Sequence, residues 1–139
     1  MNTIWKRDID LDRLNEISKN TLVSHLGIVF VAVTEDTLTA TMPVNARTQQ
    51  PLGMLHGGAS VVLAESLGSQ AANLAVEPGR YCVGLEISAS HIKSVRSGLV
   101  TGRARPMHLG QSTQVWDITI KNDERQIVCV SRLTLAVLS

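Results

Sequence analysis

The sequence predicts an α+β fold in which a curved antiparallel sheet of about six strands wraps around one long central helix. Three observations lead there. One long helical pattern, Leu55 to Ala75, carries small and apolar residues around most of its circumference. Two β-rich runs precede it and four follow it. The last runs are separated by "RSG", "LGQS" and "NDER", turns too short for parallel crossovers, so a meander is expected. A chain of 139 residues is read as a single domain over residues 1–139 with a modest core.

The elements follow in order. "DIDLDRLNEISKNTL" places Leu11, Leu14 and Ile17 at helical spacing after an acidic start that suits a helix amino terminus. "GIVFVAVTEDTLTATMPV" reads as a hairpin about Glu35 and Asp36, although the turn chemistry is imperfect. The loop "NARTQQPLGML" leads into the long helix. There Ala59, Val61, Leu63, Ala64, Leu67, Ala71 and Leu74 spread widely, leaving a narrow polar sector near Ser66, Gln70 and Asn73. After "VEPGR", the run "YCVGLEISASHI" puts Val83, Leu85, Ile87 and Ala89 on one strand face, which His91 continues. Strands around Leu99–Arg105, Thr113–Lys121 and Gln126–Val137 complete the sheet.

Composition excludes several functions. Thirteen Lys and Arg against twelve Asp and Glu give a net charge of +1, with no nucleic-acid footprint. The few aromatic residues offer no base-stacking platform. The start "MNTIWKRDID" has no signal-peptide core and no run spans a bilayer, so a cytoplasmic protein without a membrane partner is expected. Cys82 and Cys129 match no redox or metal spacing and are read as reduced. The four histidines are too scattered for a local metal motif, and no metal or cofactor is expected.

Glu65 is the one carboxylate in the long helix. It points away from the centre of the polar sector, and its helix neighbours Val61, Val62 and Ala72 are apolar, so bulk water is not its expected destination. It is either a structurally paired acid or a carboxylate facing a cleft, where desolvation would raise its basicity. The preceding "HGG" adds a second component. Unpaired N–H groups at a helix start favour negative charge developing on an oxygen, although His-Gly-Gly also occurs in ordinary turns. There is no Gly-x-Ser-x-Gly elbow of a serine hydrolase.

"QPLGMLHGGASVVLAESLGS", with "VGLEISASHIKS" and "HLGQSTQVWDI", resembles the acyl-CoA thioesterases of the hotdog fold. Within them it is most similar to the branch of 1,4-dihydroxy-2-naphthoyl-CoA thioesterase of menaquinone synthesis and 4-hydroxybenzoyl-CoA thioesterase. The resemblance implies a hotdog fold and a site at a homodimer interface, with a dimer of dimers forming a homotetramer. It implies that Glu65 is the catalytic carboxylate and that the Gly57 N–H polarises the thioester carbonyl. It places Gln50 and His56 where they orient the thioester, Ser69 where a hydroxyl supports attack, and His91 in the pocket. Gln50, His56 and Ser69 could instead cap, turn or fill local structure.

Spacing supports a shared site. Gly57 and Glu65 lie about 12 Å apart along a helix, too far to act on one thioester carbon and its oxygen. Two such helices packed antiparallel about a twofold axis would join Glu65 of one chain to Gly57 of the other. For the phosphates of CoA, the segment Ile87 to Trp116 contains no Asp or Glu but holds Lys93, Arg96, Arg103 and Arg105, with His91 and His108. "HLGQS" adds Ser112. The same charges could be solvated strand-edge residues that discourage edge pairing.

The expected reaction is hydrolysis of an acyl-CoA to the acid and CoA, with Glu65 as nucleophile or general base and an aromatic acyl group such as 1,4-dihydroxy-2-naphthoyl favoured. A hydratase or dehydratase of the same fold, or a non-catalytic acyl-CoA binding module, stand as alternatives.

Overall fold

The computed structural model describes residues 2–139. Two short helices, α1 (Leu11–Ile17) and α2 (Leu22–His25), precede strands β1 (Val29–Val33) and β2 (Leu38–Pro43). The long helix α3 (Gly57–Leu74) follows, then β3 (Tyr81–His91), β4 (Leu99–Leu109), β5 (Thr113–Lys121) and β6 (Ile127–Leu138). The second short helix is an addition to the sequence expectation. Its four residues are too few for a periodic pattern, and it exists because the Thr21 hydroxyl accepts the Val23 N–H. In α1, Asp10 does the same for Asp12 and Arg13, as the acidic start foretold.

The β1–β2 hairpin turns without an Asn-Gly pair because Thr34 supplies the missing geometry. Its Oγ1 accepts the Thr37 N–H at 3.1 Å and lies 2.6 Å from the Thr37 hydroxyl, while its N–H donates to the Thr37 carbonyl. All six strands form one antiparallel sheet in the order β1-β2-β4-β5-β6-β3. α3 packs against β2 through β6, as expected for the hotdog fold. Leu63, Ala64, Leu67 and Ala71 on the helix, and Ile118, Ile120, Leu133 and Leu135 on the sheet, are almost wholly buried. The helix sits so close that a methyl on Gly68 would come within 2.7 Å of Leu133.

The simple meander does not hold. β4, β5 and β6 are consecutive neighbours, but β3 pairs with β6 at the far edge and not with β4. The connection from Ile92 to Gly98 therefore crosses the end of the curled sheet. It is tied there by Ile92 N–H to Val128 O, Leu55 N–H to Val95 O and Val44 N–H to Gly98 O. Seven extended residues reach roughly 23 Å, enough for a crossing of three strand spacings.

The strand face expected for β3 is also corrected. A bulge between Gly84 and Glu86 shifts the register against β6. One extra residue inverts the alternation, so Val83 and Leu85 are 41% and 61% exposed while Ile87 and Ala89 pack on the core. At the opposite end, the Arg7 guanidinium donates to the carbonyls of Val76, Glu77 and Arg80, pinning the turn that follows α3, while the Lys6 N–H donates to the helix's Leu74 carbonyl. Both cysteines are free and buried. Burial pushes both thiols up, at Cys82 against the opposing pull of Arg80 and Arg7.

Candidate active site

The first turn of α3 is organised by His56. Its N–H donates to the buried Thr48's carbonyl at 2.8 Å, and its Nδ1 accepts the Gly58 N–H at 2.8 Å. Nδ1 is thus engaged as an acceptor, and Nε2 is the ring nitrogen left to donate. The Ala59 and Ser60 N–H groups both turn back to the His56 carbonyl. Of the first-turn N–H groups, the Gly57 N–H is left without a partner among the described residues. His56 is therefore the helix cap as well as a candidate for orienting substrate.

Gly57 opens onto a cavity of about 320 Å³. Gln50, Ser60, His91, Lys93 and Ser94 are its polar walls; Met54, Leu55, Ile92 and Val128 are apolar. A Cβ at position 57 would come within 2.8 Å of His91 Nε2, so any other residue there makes the imidazole or the helix start shift. The Gln50 loop is held by its own hydrogen bonds. Gln50 N–H donates to Met54 O, Gly53 N–H donates to Gln50 O, and the Gln50 side-chain oxygen accepts the Leu52 N–H. The amide NH₂ of Gln50 stays free at the cavity wall.

Glu65 departs from the sequence expectation. It is exposed, in an open sector of α3 that also holds Val61, Val62, Ser69 and Asn73. The expected polar sector of Ser66, Gln70 and Asn73 is half-buried as well, and the open region extends beyond it to Glu65, whose line β3 leaves uncovered because its edge is free. The carboxylate lies over the β3 bulge, where a methyl on Gly84 would come within 3.1 Å of Oε2. Glycine there gives the acid its room. Ser69 follows one turn later, its carbonyl accepting the Asn73 amide at 2.9 Å.

Asn73 carries a role that the helical pattern missed. Its side chain accepts the Cys82 N–H at 2.8 Å and donates to the Cys82 carbonyl at 3.3 Å, tying β3 to the helix that bears Glu65. A polar helix residue looks solvated until the strand that claims it is placed.

The cationic residues divide. Lys93 lines the cavity beside Gly57. Arg96 is a loop staple: its guanidinium donates to Leu52 O at 3.2 Å, and its carbonyl accepts the Gln49 amide at 3.0 Å. Arg103 and Arg105 stand with Lys121 and Arg125 along a separate groove. His108 and Ser112 lie at the other end of the sheet. His91 pairs with Cys129 of β6, whereas the Ser112 carbonyl accepts the Val137 N–H. The eight residue steps from Cys129 to Val137 run about 26 Å. Glu65 belongs to that second end too, since Gly84 pairs with Leu135. One protomer thus brings Gln50, His56, Gly57, His91 and Lys93 together, and holds Glu65, Ser69, His108 and Ser112 apart from them. Among the described residues no group of His, Cys, Asp or Glu is arranged to hold a metal, and no helix is long and apolar enough to cross a membrane.

Residues 52–129 match the thioesterase superfamily. The chain is 52% identical over 135 residues to the 1,4-dihydroxy-2-naphthoyl-CoA hydrolase of Escherichia coli, covering 97% of this chain and 99% of that one. It is 50% identical over 135 residues to the proofreading thioesterase EntH of Cronobacter sakazakii, covering 97% and 98%. Among solved structures, a thioesterase from Haemophilus influenzae superposes with a TM-score of 0.97 at 52% identity, over 99% of this chain and 96% of that one.

Proposed function

The chain belongs to the thioesterase superfamily and is a thioester hydrolase, and on that premise we propose that it hydrolyses aromatic acyl-CoA thioesters at sites shared between two protomers. The observation that carries the proposal is the unpaired Gly57 N–H, which faces a cavity with the free Gln50 amide and His91. A thioester carbonyl oxygen bound there would gain charge next to a backbone donor and the positive end of α3.

The carboxylate for that carbonyl comes from a second chain. Within one protomer Glu65 is about 12 Å further along the helix. A twofold axis that runs two α3 helices antiparallel removes that gap twice over and covers the exposed Glu65 and the apolar edge residues Val83 and Leu85. The same operation carries His108 and Ser112 toward the opposite cavity, where they and Lys93 suit the anionic part of CoA. Glu65 acts on the carbonyl carbon directly or through a water that it deprotonates. The acyl–sulfur bond breaks, water supplies the acid's oxygen, and CoA leaves as the thiol.

The aromatic acyl group, with 1,4-dihydroxy-2-naphthoyl the favoured case, rests on the name of the Escherichia coli relative. The test is a panel of acyl-CoAs with a thiol reagent. Release of free CoA with kcat/KM for aromatic thioesters at least about tenfold above that for long aliphatic ones is expected, a margin of about 1.4 kcal/mol in transition-state binding. Preference for long aliphatic chains overturns the substrate assignment. An altered thioester that keeps its CoA, or binding without turnover, overturns hydrolysis itself.

A further inference from the structure

Among the described residues six polar ones are buried: Ser18, Thr37, Thr48, Ser60, Gln114 and Ser131. Five have clear uses for their side chains. Ser18 donates to Leu14 O, Thr37 meets Thr34, Thr48 donates to Pro43 O, Gln114 accepts the Trp116 indole N–H, and Ser131 donates to Ser88 O. Ser60 is the exception. It is 2% exposed, yet its hydroxyl makes no hydrogen bond among the described residues. Among the described residues no sealed side-chain polar atom lacks a partner, so the Ser60 oxygen is not entombed; it opens onto the cavity that Ser60 lines beside Gly57.

Position gives that hydroxyl a target. Ser60 stands three residues after Gly57, on the same helix face, and helical side chains lean toward the amino terminus. The next backbone donor in the turn is already spent, because the Gly58 N–H is held by His56 Nδ1. One backbone N–H is thus all the first turn offers a developing oxyanion, where stabilisation is ordinarily shared among several donors. We propose that Ser60 is a further catalytic residue, its hydroxyl donating a second hydrogen bond to the thioester carbonyl oxygen alongside the Gly57 N–H. This rests on the hydrolase site described above. The donor is neutral, keeps its proton throughout and strengthens as negative charge collects on the oxygen, so its contribution falls on the transition state and not on ground-state binding.

The experiment compares Ser60→Ala with wild type on two acyl-CoAs, one aromatic and hydroxylated, one without a hydroxyl, with Glu65→Gln as reference. Ser60→Ala is expected to lower kcat by about 10- to 100-fold on both substrates with KM within about threefold. The melting temperature should hold or rise, because the hydroxyl removed has no partner in the protomer. Ser60→Cys, close in volume and a weak donor, should show the same loss of kcat and supplies the reading if the alanine chain does not assemble. Wild-type kcat in the Ser60 variants while Glu65→Gln is inactive overturns this proposal alone. Full activity in Glu65→Gln overturns the site reading beneath it. A loss confined to the hydroxylated substrate, or one that tracks a lowered melting temperature, also overturns the proposal.

Discussion

The two halves of α3 are built to opposite plans. Its first turn is enclosed: His56 caps it, Thr48 anchors the cap, His91 packs against Gly57, and the crossing strap from Ile92 closes the cavity. Two turns later Glu65 stands exposed above a strand bulge, beside an edge strand with no neighbour on its free side. One end has the unpaired backbone N–H and no carboxylate; the other has the carboxylate. In the shared-site proposal, a second copy that reverses the order of the two ends completes the constellation.

The largest expected effect tests the open half. Glu65→Gln keeps the shape of the side chain and removes its basicity, so kcat should fall by on the order of 100-fold or more with the fold intact. Steady-state kinetics beside circular dichroism checks this; a folded, assembled and active variant would remove Glu65 from the mechanism.

A smaller effect is expected in the enclosed half. Gly57→Ala forces a methyl to within 2.8 Å of His91 Nε2, so the ring or the helix start must shift. A loss of about 10- to 100-fold in kcat/KM is expected, since displacement of a donor by a fraction of an ångström weakens its aim. Pairing it with His91→Ala sharpens the cause. If the clash is responsible, the double variant loses less than the product of the single losses by at least about threefold; strict multiplicativity would place the damage elsewhere.

The smallest signal asks whether the halves meet across chains. Glu65→Gln and Gln50→Ala homodimers, each folded and nearly inactive, are mixed in equal amounts and allowed to exchange. A mixed dimer then has one doubly defective site and one intact site. With about half the dimers mixed, activity should return to roughly a quarter of wild type per site. Confirmed exchange without recovery would put both residues in the same chain's site.

Much of this molecule is written locally. The circumference of α3, the Asp10 cap, the turns before and after each strand, and the pairing of "HGG" with Glu65 depend on residues within a few positions of one another. Local conformational preference and hydrophobic period are legible at that range. Six strands and one central helix could therefore be read from the chain directly, together with the two ends of the candidate site.

Tertiary structure decided the rest. β3 sits at the far edge because burial of the whole sheet, not the length of the next turn, selects strand partners. The bulge at Leu85 reverses a face that alternation assigned the other way, and thereby makes the space over Gly84 that Glu65 occupies. Arg96 became a staple for the Gln50 loop, Asn73 a tie to Cys82, and Ser60 a hydroxyl without a partner, through contacts with segments distant in sequence. No short window contains those energies: a side chain's free energy depends on which polar groups and which solvent surround it, and that environment exists only once the sheet has closed on the helix.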